Sequence, residues 1–214
     1  MANSNDYLYK LSDKIWSTKI ARFTAYRRMK RCDVASVIAT AMSSANIIAV
    51  SILCYFKKEG KSIVSSDNVT AISIVLSVLA LVLSLVVTLL KYSERKNNYH
   101  NCGLALESLN QHIKICIKES EDADIPISYN RVKQFLNDYE KILSKSNLNH
   151  TKFDYAYAIY DDKRNNSSET VDTLVKIKMW FRWNILDVSF LYWLIAFLPT
   201  IAIFIYLWLG LFIS

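Results

Sequence analysis

Turn-making residues are scarce. The 214-residue chain holds three glycines and two prolines, too little punctuation for a sheet-rich fold or an active site assembled from loops. Gly60, Gly103 and Gly210 lie far apart, so no phosphate-cradling glycine loop of the Walker or dinucleotide kind can be built. Charge is missing from three long runs, residues 34–56, 68–90 and 188–214, of 23, 23 and 27 residues. At about 1.5 Å per residue, each is long enough as a helix to cross ~30 Å of hydrocarbon. No ionisable Asp, Glu, Lys, Arg or His lies inside them, which argues against proton pumping and ion-coupled transport. The first twenty residues lack an apolar core and a cleavage site, so no signal peptide is expected. Cys32, Cys54, Cys102 and Cys116 form no CxxC pair and share no metal-ligand spacing with His100, His112 and His150. Small buried hydrophobes are the expected role for such cysteines. With no catalytic constellation and no cofactor or metal motif, the chain does not read as an enzyme.

What is present is 52% hydrophobic residues beside 21% charged ones, at a mean hydropathy of +0.15. The two kinds are segregated into blocks, the pattern of an all-α integral membrane protein. Four parts are expected: a basic amphipathic helix over 1–32, a two-span transmembrane hairpin over 33–90, a cytoplasmic helical domain over 91–187, and a third transmembrane helix over 188–214. Pro199 near the middle of the last run raises the alternative of a re-entrant segment.

The net charge of +7 is not spread evenly. Residues 1–32 hold eight Lys and Arg against two acids, whereas 33–90 are balanced and 91–214 carry fifteen bases against fourteen acids. The excess is a collar before the first span, with Arg22, Arg27, Arg28, Lys30 and Arg31 at its core. Its position suits a topology signal and attraction to anionic lipid better than a nucleic-acid contact. The collar predicts a cytoplasmic N-terminus, an outer hairpin loop, a cytoplasmic 91–187 and an outer C-terminus.

Hydroxyls mark both spans of the hairpin. Thr70, Ser73, Ser77, Ser84 and Thr88 fall in a sector about 60° wide at 100° per residue. Ser36, Thr40, Ser43, Ser44 and Ser51 fall in one about 100° wide, with Ala41, Ala45 and Ala49 opposite and Asn46 between. Such stripes serve close helix packing, or they line a hydrated lumen when several hairpins assemble.

Beyond the hairpin, Tyr99, Cys102, Leu106, Leu109, Ile113 and Cys116 step by threes and fours, a seam for helix-on-helix packing. The seam predicts a helix that continues the second span for about fifty residues in all. The acidic run 119–124 with Pro126 should end it as a solvated turn. Ser128 should then cap a helix with the seam Val132, Phe135/Leu136, Tyr139 and Ile142/Leu143, packed antiparallel on the first. A short helix is expected near 152–162, a loop at 164–168, and a helix over 169–184 whose Trp and Lys/Arg content suits the headgroup layer.

The order of these parts resembles a known family. A basic helix (Ile20-Ala21-Arg22-Phe23…Arg27-Arg28-Met29) leads into a two-span hairpin. A helical segment follows with Tyr99…Leu104…Leu106-Glu107-Ser108-Leu109, then Asn147-Leu148-Asn149-His150-Thr151-Lys152-Phe153-Asp154-Tyr155. This resembles the SLATT proteins, two-transmembrane effectors associated with SMODS nucleotidyltransferases and SLOG domains in bacterial defence systems. The resemblance covers roughly residues 8–160, and Asn149, His150, Asp154 and Tyr155 match a short step that tends to recur in the family. It implies a bacterial inner-membrane effector that oligomerises and forms a pore or disrupts the membrane, causing growth arrest or cell death. The partners it implies are membrane lipid, further copies of the chain, and a regulatory protein or nucleotide second messenger of the same system. The alternative is a non-conducting anchor or sensor that recruits a partner through its cytoplasmic helices. His150 and Asp154, four apart, are expected to hydrogen-bond across one helical turn and steady the start of the short helix.

Overall fold

In the computed structural model, residues 4–53, 57–58, 61–62, 66–146, 149, 151–166, 173–184 and 188–212 are described. Cys54, Gly60, Asn147, Leu148 and His150, with residues 167–168 of the expected loop and 169–172 of the expected helix, lie outside them. The protein is an all-α membrane protein of seven helices among these residues: α1 (Ser4–Leu53), α2 (Ser66–Leu90), α3 (Tyr92–Ala123), α4 (Tyr129–Ser146), α5 (Lys152–Asn166), α6 (Thr173–Asn184) and α7 (Val188–Phe212). Three of them are long and apolar enough to cross a membrane. Between α1 and α2, the two-residue strands β1 (Lys57–Lys58) and β2 (Lys61–Ser62) pair antiparallel, Lys57 opposite Ser62.

The chain forms two compact units, residues 1–30 with 93–179, and residues 31–92 with 180–214. The first unit has a conventional apolar core. Leu8, Leu11 and Ile15 of α1 pack with Cys102, Leu106, Leu109, Ile113 and Ile117 of α3 and with Val132, Phe135 and Tyr139 of α4. The seams read from the sequence for α3 and α4 are therefore buried as expected, with Ile117 replacing Cys116 as the α3 seam drifts around a helix of 3.6 residues per turn. The expected two-helix hairpin is in fact a three-helix packing, because the N-terminal helix supplies a third wall. Its basic stretch is part of this core region rather than a separate surface helix.

Local chemistry sets the ends of these helices. Ser128 caps α4, its hydroxyl accepting from the Arg131 N–H at 3.4 Å. At the end of α3, Asp124 takes φ 50°, and the N–H groups of Asp124 and Ile125 return to the carbonyls of Glu121 and Ser120. That is a Schellman closure made without glycine. Gly103 has a different use: a Cβ there would meet the Phe23 ring at 3.0 Å, so α1 and α3 approach closely at this point.

Two expectations about continuity are corrected. The helix from the second span does not run on unbroken, because Lys91 adopts φ 47° and a left-handed residue ends a right-handed helix. The chain resumes at Tyr92, which is buried with its ring edge-on to Tyr192 and the two hydroxyls 3.2 Å apart. Conversely, the loop expected at 164–168 is helical as far as Asn166. The third apolar run forms one helix with Pro199 inside it, so a broken, re-entrant form is not seen.

In the second unit many of the buried positions are small or polar, although Val50, Leu83, Tyr92, Trp183 and Tyr192 are buried too. Ala35, Ser36, Ala39, Asn46, Ser189 and Ala196 are all buried. Large apolar side chains of α2 and α7, among them Leu79, Leu85, Leu89 and Phe204, are exposed. This is the distribution of a helical assembly whose outer solvent is hydrocarbon.

Candidate functional site

The start of α5 is a capping box. Thr151 precedes the helix, and its hydroxyl accepts from the Asp154 N–H at 3.1 Å, while the Asp154 carboxylate accepts from the Thr151 N–H at 2.9 Å. The Thr151 hydroxyl also donates to that carboxylate at 2.8 Å. The Thr-x-x-Asp spacing brings the two residues close enough for this exchange within one turn.

Asp154 has a second role. It is fully buried, and Arg28 of α1 grips both of its oxygens, Nε to Oδ1 at 2.8 Å and Nη2 to Oδ2 at 2.9 Å. Planar guanidinium on carboxylate is the strongest geometry available to such a pair. Burial by itself pushes the Asp154 carboxyl up. The Arg28 hydrogen bonds, the Thr151 N–H and hydroxyl, and the guanidinium charge together outweigh it, so the pKa lies below its ordinary 3.8. Asp154 is thus a fixed anion at neutral pH, suited to clamping α5 onto α1 and not to proton transfer. The partner expected from the sequence, His150, lies outside the described residues, and the donors on Asp154 are Arg28 and Thr151. Beside them the Tyr99 hydroxyl donates to the Asn149 carbonyl at 2.9 Å, while Tyr155 faces outward.

The collar residues are largely engaged inside the protein. Arg22 is 2% exposed, its guanidinium 5.8 Å from the centre of the Tyr99 ring. Arg27 reaches Asp161 at 3.1 Å, and Lys19 reaches Glu107 at 2.8 Å. Arg31 donates to the Trp183 carbonyl at 2.8 Å and lies 4.2 Å over that indole. Lys30 is exposed. The sequence reading gave this charge to lipid and topology. The fold also pairs part of it with acids at 107, 154 and 161, which no spacing along the chain could reveal.

The hydroxyl stripes divide. On α1, Ser36 is buried, Thr40 and Ser43 are half-buried, and Ser44 and Ser51 are exposed, so the sector is not one open face. On α2, Thr70, Ser77, Ser84 and Thr88 are exposed and Ser73 is half-buried. Ser51 and Ser73 bring their hydroxyls to 3.5 Å. Most of these side chains also donate back to their own helix: Thr40 to Ser36, Ser43 to Ala39, Ser44 to Thr40, Ser51 to Ile47, Ser77 to Ser73 and Thr88 to Ser84. The Ser36 hydroxyl does the same one residue nearer, to Asp33.

Asn46 is the polar contact that the sequence marked only in passing. It is buried, its Oδ1 accepting from the Thr200 hydroxyl at 2.9 Å and its Nδ2 3.5 Å from the Ala196 carbonyl. One amide thus joins α1 to α7 beside Pro199. Among the described residues, no three His, Cys, Asp or Glu side chains converge in a metal-binding arrangement.

No curated protein and no solved structure gave a significant match to the chain. A family model does match, over residues 4–205, beyond the 8–160 expected from the motifs. The family's description counts two spans, yet the match takes in α7 as far as residue 205, so the third apolar helix lies within the shared region. By a match over nearly its whole length, the chain belongs to the SMODS and SLOG-associating 2TM effector domain family 5, an effector domain of bacterial defence systems.

Proposed function

We propose that this effector acts on the bacterial inner membrane without enzymatic chemistry, by assembling copies whose α2 helices surround a hydrated path. The observation that carries the reading is the state of α2. Of its described side chains only Leu83 is buried inside the chain, and Thr70, Ser77, Ser84 and Thr88 stand exposed along one side of it. A face that offers hydroxyls but no charge suits a weakly selective pore. The clamp of Arg28 on Asp154 holds the resting arrangement of the first unit. A regulatory protein or a nucleotide messenger of the same system then acts by loosening it. The N-terminus is cytoplasmic in this reading, since Lys30 and the bases at 91, 95 and 96 flank the spans.

Back-bonding of the hydroxyls favours a second reading, a non-conducting anchor that recruits a partner. A serine whose hydroxyl already donates to its own helix can face lipid without leaving that donor unpaired. Inducible expression in bacteria, with membrane potential and dye entry followed, separates the two. The pore reading expects depolarisation that Ser77→Leu with Ser84→Leu abolishes while insertion persists. Full leakage in that variant sinks the lumen assignment. Function retained after exchange of the spans for unrelated apolar helices establishes the anchor.

A further inference from the structure

We propose that the cleft between α3 and α4 binds a nucleotide-sized phosphate ester through Lys141 and Lys145. The cleft has a volume of about 410 Å³, within the ~300–1,000 Å³ usual for small-molecule sites. Its wall is built from Cys102, Ala105 and Ile142, which give an apolar surface for a base or another flat body. Asn98 and Asn101, three apart on α3, and Lys141 and Lys145, four apart on α4, stand around it. On a helix those spacings put each pair on one face.

The charge pattern is what points to phosphate. No acid lines this cleft. A neighbouring cleft between the same two helices mixes Glu119 and Asp138 with Arg131, so an anion there meets opposing charge. Some cations of this unit are already neutralised by acids, Lys19 by Glu107, Arg27 by Asp161 and Arg28 by Asp154. Among the described residues, neither Lys141 nor Lys145 has an acidic partner, and neither Asn98 nor Asn101 has a side-chain hydrogen bond. Like charges four apart on a helix repel each other, a repulsion that a bound phosphate relieves. Lys145 also complements the carbonyl end of α4, but Lys141 lies more than a turn from that end.

The position links binding to the clamp. Asn98 adjoins Tyr99, whose hydroxyl holds the Asn149 carbonyl, and Thr151 of the capping box follows two residues later. Ser146, also on the cleft, is the last residue of α4. An occupant that shifts α3 against α4 therefore bears on the Tyr99–Asn149 bond and, through it, on the start of α5. This regulatory consequence rests on the function proposed above, whereas the binding itself does not.

The test uses the full chain in nanodiscs and a fluorescent trinitrophenyl-ATP probe, titrated directly and then displaced by unlabelled ATP or by short-chain phosphatidylglycerol. Saturable binding is expected, weakened about tenfold or more in Lys141→Gln/Lys145→Gln and unchanged in Lys133→Gln, which removes one charge from α4 away from the cleft. Ala105→Phe, filling the wall while keeping both lysines, should weaken it as well. Circular dichroism confirms that each variant keeps its helices. Displacement by ATP makes the natural ligand a soluble nucleotide, and displacement by the lipid alone makes it a headgroup. The proposal is overturned if the probe does not bind, or if Lys133→Gln weakens it as much as the cleft variants do. Neither result touches the leakage experiment, which stands or falls on α2.

Discussion

The two units of this protein differ in what they bury and what they expose. In the unit of residues 1–30 and 93–179 the interior is Leu8, Ile15, Leu106, Ile113 and Phe135, and its polar anchors are ion pairs such as Arg28–Asp154. In the unit of residues 31–92 and 180–214 the small and polar Ala35, Ser36, Ala39, Asn46 and Ala196 are buried beside Val50, Leu83 and a few aromatic rings, while most leucines, such as Leu89, are exposed. Water expels large apolar side chains, so they fill the first interior. Hydrocarbon has no such preference, so helices there are joined by close backbone approach and by the occasional buried amide. One helix, α1, serves both regimes. Among its buried positions, 8, 11, 15, 22, 25, 29, 32, 36, 39, 46 and 50 keep heptad spacing, with 18 and 43 half-buried in the same series and 12, 21, 24 and 35 buried beside it.

The comparison breaks most visibly at Asp154. Asp154→Asn leaves the Arg28 guanidinium facing a neutral group and should cost the first unit ~3–5 kcal/mol. Hydrogen exchange should rise across 4–30 and 93–166 and stay unchanged across 70–90. Equal loosening of both units would show that they do not unfold separately. Gly103→Ala sets a methyl against the Phe23 ring, and the ~1 kcal/mol that alanine gains over glycine inside a helix offsets part of the overpacking, so a net cost of at most about 2 kcal/mol is expected by the same measurement. In the second unit the corresponding contact is weaker. A double-mutant cycle of Asn46→Ala with Thr200→Val should return a coupling of roughly 0.6–1.7 kcal/mol in detergent unfolding.

Acid sharpens the same contrast with the smallest effect at neutral pH. The Asp154 pKa is lowered on folding, so its contribution is complete above the unfolded value near ~3.9 and disappears as pH falls through the folded one. A pH series should therefore leave the first unit's exchange protection flat from neutrality down to about pH 5 and erode it only in stronger acid. Asp154→Asn should remove this part of the acid dependence.

Much of the fold was legible because its causes are local. The seam from Tyr99 to Ile113, the capping serine at 128 and the run 188–212 each state their structure within a few turns of chain. The seam of α1 was not legible, because Thr18, Arg22, Ser36, Ser43 and Asn46 occupy positions where a pattern reading looks for leucine. The break at Lys91 was missed for a related reason: lysine is an ordinary helix former, and only its φ marks the end of α2. At the candidate site, the Asp154 and Asn149 positions stood out, but the role given to the collar did not anticipate its acids.

The sequence by itself determined that this is a helical membrane protein with three apolar helices and a polar helical unit, since hydropathy and period are properties of short segments. Only the tertiary structure decided which acids the basic collar meets. Arg28 and Asp154 are 126 residues apart, and whether a cation meets lipid or a buried carboxylate depends on where distant helices are brought, not on its neighbours in the chain.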